Sequence, residues 1–145
     1  MPGITVGIDG SAHSTCALEW AMKEAAVRHA PITVLTVHLV PAGGWTGHPI
    51  TLPPDAADAE KARQAAEEMT LKVASQLGEA QPASVTVRAT SGFPAQELIE
   101  ASRTADLVVV GSRGAGGFAA LRIGSVSGQV VHHAHCPVVV VPHES

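Results

Sequence analysis

The chain has 145 residues, of which 46% are hydrophobic and only 3% aromatic, so its core must be built from Val, Ile, Leu and Ala. The formal net charge is -4 and no run of Lys or Arg occurs, which argues against binding to nucleic acid or to an anionic membrane surface. No apolar run approaches the ~20 residues of a transmembrane helix, and no secretory signal is visible. Cys16 and Cys136 fit no zinc or redox spacing, so we interpret them as buried thiols of a cytoplasmic protein.

Apolar segments alternate along the chain with segments of helical period. The apolar segments predict strands at residues 3–9, 31–40, 84–90, 106–111 and 137–142. The segments between them predict helices that begin near Ser11, Asp55, Phe93 and Ser125. Pro31 is expected to stop the first helix, and Gly78 to end the second in the left-handed conformation.

Strands that alternate with helices predict a parallel sheet, because parallel strands need crossover connections. We therefore expect one α/β domain over residues 1–145, an open five-stranded Rossmann-like sheet with helices on both faces and strand order 3-2-1-4-5. The alternation of Val85, Val87 and Ala89, all expected to point inward, is typical of a half-exposed edge strand and places the third strand far from the centre. In such a sheet, ligands bind beyond the carboxyl ends of the strands where the strand order reverses.

Two loops would meet at that crevice, one after the first strand and one after the fourth. The second reads GSRGAGGFAALRIGSVS and lacks the Gly-Lys-Ser/Thr ending of a P-loop. Gly111 and Gly114 would let backbone approach a ligand, and the helix that opens at Ser125 would present free amides and hydroxyls to a phosphate. Arg113 could supply the countercharge that a P-loop takes from its lysine. The alternative is an ordinary strand-to-helix turn in which the serines only cap the helix.

The spacing Gly111-x2-Gly114-x9-Gly124-Ser125 resembles the nucleotide-binding pattern of the universal stress protein family. The resemblance covers essentially the whole chain, including VGIDGS after the first strand, SGFPAQELIEAS before the fourth and HHAHCPVVVVP near the carboxyl terminus. Members with this pattern are ATP binders, so the resemblance implies an ATP site. Together, the crevice, the loop charge and the resemblance give these candidate nucleotide-binding residues: Ile8, Asp9, Leu39, Val110, Gly111, Arg113, Gly114, Gly124, Ser125, Val126 and Ser127.

The resemblance also implies roles within this set. Asp9 would lie near the adenosine, Val110, Gly111 and Gly114 along the ribose and phosphates, and the segment 124–127 at the phosphates. The backbone of Leu39, or that of Val37 one pleat earlier, would contact the adenine. Physically, a carboxylate such as that of Asp9 accepts hydrogen bonds from ribose hydroxyls. Mg²⁺ or Mn²⁺ bound through the phosphates would relieve its repulsion from a triphosphate.

Two features can also be explained without a functional role. Asp9 could instead stabilise the turn before Gly10. His132, His135 and Cys136 could suggest a metal, but imidazoles also favour a helix carboxyl end, so we expect no metal site in the protein.

The last strand has four consecutive valines and should lie at a sheet edge, where an open backbone is an aggregation hazard. Pairing with the same strand of a second copy would cover it. Universal stress proteins commonly dimerise in this way, so the resemblance agrees with a homodimer formed through Val138–Val141.

The function that we expect is that of an ATP-binding regulator of a stress response. No catalytic residues are assigned, because His13 has no lysine or orienting acid beside it, and at most weak ATP hydrolysis is expected. Slow ATPase activity, binding of AMP or cyclic AMP, and a dimeric interaction module without a nucleotide stay open as alternatives. The preferred nucleotide, the protein partners and the role of residues 41–54 do not follow from the sequence.

Overall fold

The computed structural model describes residues 3–9, 12–39, 56–112 and 125–142. Within these ranges the order of elements is β1 (Ile4–Ile8), α1 (Ala12–Arg28), β2 (Ile32–Leu39), α2 (Ala56–Leu77), a 3₁₀ turn (Gly78–Ala80), β3 (Val85–Gly92), α3 (Pro94–Ala101), β4 (Leu107–Gly111), α4 (Ser125–His133) and β5 (Val138–Val141). Among the described helices, none combines the length and the apolarity that crossing a bilayer requires.

All strand pairs are parallel, and the sheet runs β3-β2-β1-β4-β5. This confirms the predicted fold class and strand order. Ile4, Val6 and Ile8 of β1 pack with α1 and α2 in one apolar cluster. Leu35 and Val110, on the other face of the sheet, pack with α3 and α4 in a second cluster. The two-sided burial explains why the central strand β4 is continuously apolar.

The ends of the helices follow local backbone chemistry. Gly78 has φ +56°, which confirms its predicted left-handed conformation after α2. The first helix ends at Arg28, three residues before Pro31. His29 adopts φ +55°, and the Ala30 amide donates to the Ala25 carbonyl at 2.9 Å. These features form a Schellman motif that needs no proline.

Glycine at position 7 allows α3 to lie close to β1. A Cβ atom built there would lie 2.9 Å from both Cδ atoms of Leu98, a buried residue of α3. Because strand side chains alternate, Thr5 points to the same face as Gly7. The α3 side of β1 is therefore closely packed at Gly7.

The Ser102 hydroxyl links the end of α3 to the segment that leads into β5. It donates to the Ile99 carbonyl and accepts the amide of His135 at 2.8 Å, and the residue is only 1% exposed. Ser102→Ala is expected to lower the free energy of unfolding by about 1–3 kcal/mol, because a backbone donor loses its acceptor. Chemical denaturation checks this, with Thr104→Ala at the exposed turn as the control. Equal midpoints for the two variants would contradict the assigned link.

Both edges of the sheet carry partly exposed strands. In β3, Val85 is 36% exposed, so it is not the inward residue that the alternation predicted. Beside β5, the carbonyls of Pro137 and Val141 accept the amides of Val108 and Ser112 at 3.0 and 2.9 Å. Since backbone groups alternate in direction along a strand, Val138 and Val140 turn their N–H and C=O groups to the open edge.

Candidate functional site

A crevice opens between the carboxyl ends of β1 and β4. Paired residues run from Ile4↔Leu107 only to Val6↔Val109, although β1 continues to Ile8 and β4 to Gly111. On its other side, β1 stays in register with β2 up to Ile8↔Thr36. The two central strands therefore part over their last residues. This is the point where the strand order reverses and where the sequence predicted a ligand.

The predicted residues at the ends of these strands differ in their accessibility. Ile8 and Val110 are buried in opposite apolar clusters, so they support the walls of the crevice. Asp9, directly after β1, is exposed, and Gly111 at the end of β4 is half-buried. Asp9 and the backbone of Gly111 are therefore the groups at these strand ends that a ligand could contact.

The amino terminus of α4 lies across the end of β4. Ser125 is the exposed first residue of this helix, and Val126 packs against the cluster on the α3 and α4 side of the sheet. The first turn contains no acidic residue. Its amides lack helical acceptors and carry the positive end of the helix dipole, so this terminus favours an anion.

A hydrogen bond closes the base of the glycine-rich loop. The Ser127 hydroxyl donates to the Ser112 carbonyl at 3.2 Å, and Ser127 is only 3% exposed. The Ser112 amide in turn donates to the Val141 carbonyl at 2.9 Å. Ser112 thus fixes the start of α4 to the ends of β4 and β5. The sequence did not reveal this role, because the two serines lie fifteen positions apart in a segment without periodicity.

This geometry gives different roles to Ser125 and Ser127, two of the predicted phosphate-binding serines. A hydroxyl has one proton to donate, and that of Ser127 is directed to Ser112. The Ser127 hydroxyl therefore serves the loop, whereas the exposed Ser125 hydroxyl could contact a phosphate.

Ser127→Ala is expected to lower the free energy of unfolding by about 1 kcal/mol or more, because the closing hydrogen bond is lost at a buried position. Ser125→Ala, at an exposed position, is the matched control and should change the stability by less than about 0.5 kcal/mol. Urea denaturation of both variants measures the difference. Equal losses of stability would show that Ser127 does not close the loop.

The end of β2 forms the border of the crevice on the side away from β4. Leu39 is the last residue of this strand, in register with Gly92 of β3. Val37 is half-buried against the cluster on the α3 and α4 side. The predicted residues Arg113, Gly114 and Gly124 lie outside the described residues.

The histidines and the cysteine at the end of α4 show no metal geometry. In the part of the chain that the structure describes, no three His, Cys, Asp or Glu side chains are grouped as a metal ion would require. Burial raises the pKa of the Cys136 thiol above its usual range, and the charge of Asp106 adds to the rise, although a hydrogen bond with the Val108 backbone opposes it. Cys136 is therefore a neutral thiol near pH 7, which is a poor nucleophile and metal ligand.

The fold and the crevice define the class of this protein. An open parallel sheet whose central strands part at the strand-order reversal is characteristic of Rossmann-like α/β proteins. The universal stress protein family model matches residues 2–142, so the chain belongs to the universal stress protein family.

Curated relatives agree with this assignment. A universal stress protein of Mycolicibacterium smegmatis is 39% identical over 139 residues, which are 96% of this chain and 47% of the relative. A universal stress protein of Mycobacterium tuberculosis is 36% identical over 145 residues, covering 98% of this chain and 49% of the relative. The chain thus spans about half the length of the curated relatives that it matches.

Solved structures share the fold. UspA from Lactobacillus plantarum matches with a TM-score of 0.76 at 24% identity, covering 97% of both chains. A universal stress protein in complex with cAMP gives 0.70 at 24% identity, over 99% of this chain and 98% of the other. The Archaeoglobus fulgidus protein in complex with dAMP gives 0.65 at 24% identity, over 97% and 98%.

Proposed function

We propose that this chain is an ATP-binding universal stress protein that acts as a nucleotide-dependent regulator of a stress response. The nucleotide would lie between the end of β1 and the loop that follows β4, and residues 1–145 would act as one binding unit. We place the protein in the cytoplasm, where its two cysteines, which form no disulfide, would stay reduced.

The observation that carries this proposal is the parting of β1 and β4 beside the amino terminus of α4. The parting creates space at the centre of the sheet, and the helix terminus favours the negative charge of phosphates. Two structures with the same fold, whose sequences are less than 25% identical to this chain, contain cAMP and dAMP. These observations support an adenine nucleotide as the ligand of the crevice.

The described residues suggest how the nucleotide would be held. Asp9 would accept hydrogen bonds from ribose hydroxyls, and the backbone at Gly111 would run alongside the sugar and phosphates. Ser125 and the amides of the first turn of α4 would donate to phosphate oxygens. A bound Mg²⁺ or Mn²⁺ would take mostly phosphate and water ligands.

The described groups around the crevice favour binding over hydrolysis. Asp9 is the acidic side chain at the end of β1, and it would be engaged by the ribose rather than by an attacking water. Nucleotide occupancy would then alter the surface presented to partners while turnover stays slow.

Homodimerisation is the second part of the proposal. Val138 and Val140 turn open backbone groups to the edge of β5, and all four residues of this strand are only partly buried. A second copy of β5 would satisfy these groups and bury the valines.

The nucleotide assignment can be tested by denaturing gently purified protein and identifying the released small molecules by mass spectrometry. The same preparation, freed of ligand, is then titrated calorimetrically with ATP, ADP, AMP and cyclic AMP, with and without Mg²⁺. Co-purified ATP or micromolar ATP binding is expected. Preference for AMP or cyclic AMP would change the assigned ligand, and no binding of any of the four would overturn the nucleotide site.

A further inference from the structure

A second cavity lies at the opposite end of the sheet from the nucleotide crevice. It has a volume of about 410 Å³ and lies between the carboxyl end of α3 and the first halves of β1, β2 and β3. Its polar side chains are those of Thr5, Thr33, Arg88 and Thr104. The volume falls within the range of small-molecule sites in proteins.

The charge of this cavity is positive. Among the lining residues that the structure describes, none is acidic and Arg88 is the one that is ionisable. Of the arginines that the structure describes, Arg28, Arg63 and Arg103 each pair with a glutamate. Arg88 has no ion pair within residues 3–9, 12–39, 56–112 and 125–142, so its guanidinium donors are available to a ligand.

Thr5 provides a second, independent indication of a ligand. It is only 8% exposed, it lies on the face of β1 that looks toward α3, and it lines the cavity. Its hydroxyl has no hydrogen-bond partner in the described part of the chain. A buried hydroxyl without a partner costs stability, which is accounted for if the group donates to a bound molecule.

The remaining walls indicate the size and character of that molecule. Leu35 and Ala101 add apolar surface to the cavity beside the hydroxyls and the guanidinium. The last carbonyls of α3 accept hydrogen bonds from within the chain, since Ala101 accepts the amides of Thr104 and Ala105. A ligand with one anionic end and a short aliphatic part matches these walls.

We propose that this cavity binds a small aliphatic carboxylate. The carboxylate would pair with Arg88 and accept the hydroxyl protons of Thr5 and Thr33, and the alkyl chain would lie against Leu35 and Ala101. Arg88 and Leu35 are register partners on adjacent strands, which places charge and apolar surface side by side. This site is independent of the proposed nucleotide site.

Titration of ¹⁵N-labelled protein with butyrate, followed by amide chemical shifts, tests the proposal. Saturable shifts are expected at Thr5, Thr33, Arg88 and Thr104, whereas ATP should leave these resonances unmoved. Butyramide, a neutral molecule of the same shape, should bind at least tenfold more weakly, because charge-assisted hydrogen bonds are lost. No saturable shift with butyrate would overturn the site, and stronger binding of inorganic phosphate would overturn the carboxylate assignment.

Measuring butyrate binding by variants of the lining residues distinguishes a ligand site from a groove that is only filled with water. Arg88→Gln should weaken butyrate binding about tenfold or more, whereas Arg63→Gln, which removes the same charge from α2 beneath the other face of the sheet, should not. Thr5→Val should weaken binding about fivefold and yet raise the unfolding temperature, because a buried hydroxyl without a partner is removed. Equal effects of the two arginine variants, or a Thr5→Val protein with unchanged affinity, would contradict the proposal.

Discussion

Ser125→Asp is expected to weaken ATP binding by roughly 100-fold or more without destabilising the protein. The exposed first residue of α4 would then place a carboxylate where the proposed site receives phosphate. Two like charges about 4 Å apart repel by about 4 kcal/mol at an effective dielectric constant of 20. A carboxylate in the first turn stabilises a helix, so the free energy of unfolding should be unchanged or slightly higher.

The control for this prediction is Ser125→Asn, which has nearly the same shape as aspartate and no charge. Calorimetric titration with ATP should show the large loss for the aspartate variant and at most a few-fold change for asparagine. Thermal unfolding of both variants without ligand monitors stability. If the aspartate variant is folded and binds ATP as tightly as the original protein, phosphates do not dock at the amino terminus of α4, and Ser125 only begins the helix.

Val140→Pro is expected to convert the proposed dimer into a monomer. The outward amide of Val140 would be lost from the open edge of β5, while the hydrogen bonds from β4 to Pro137 and Val141 remain. A twofold interface uses the residue twice, so two donors are lost and two acceptors are left unpaired in each dimer. The dissociation constant should rise by roughly 100-fold or more.

Val140→Ala is the matched variant, because it also removes the packing of the valine side chain on the α3 and α4 face but keeps the amide. Sedimentation velocity at several concentrations should show a dimer for the original protein and for the alanine variant, and a monomer for the proline variant. A dimer in all three would place the interface elsewhere, and a monomeric original protein would remove the dimer from the proposal.

Much of the architecture could be predicted from the sequence because it depends on short-range patterns. The run at β4 is apolar on both faces, which is characteristic of strands covered by helices on each side. Gly78 ends α2 through its own conformational freedom. Alternation of strands and helices leaves few topologies open, and the observed order is among them.

Errors arose where neighbours distant in sequence decide the outcome. Val85 follows an alternating pattern that predicts an inward residue, yet it lies at the start of an edge strand and is 36% exposed. This exposure does not follow from the identity of the residue alone.

The candidate sites, too, could be predicted from the sequence only in part. The sequence by itself determined that glycines and serines follow the fourth strand and that Asp9 follows the first, since these are properties of local order and spacing. Only the tertiary structure decided that β1 and β4 part after Val6 and Val109, and that the Ser127 hydroxyl is directed to Ser112. It also decided that Arg88 and Thr5 share a cavity beneath α3. Such contacts join residues far apart in the chain, and their geometry is fixed by how helices pack on the sheet, which no local pattern specifies.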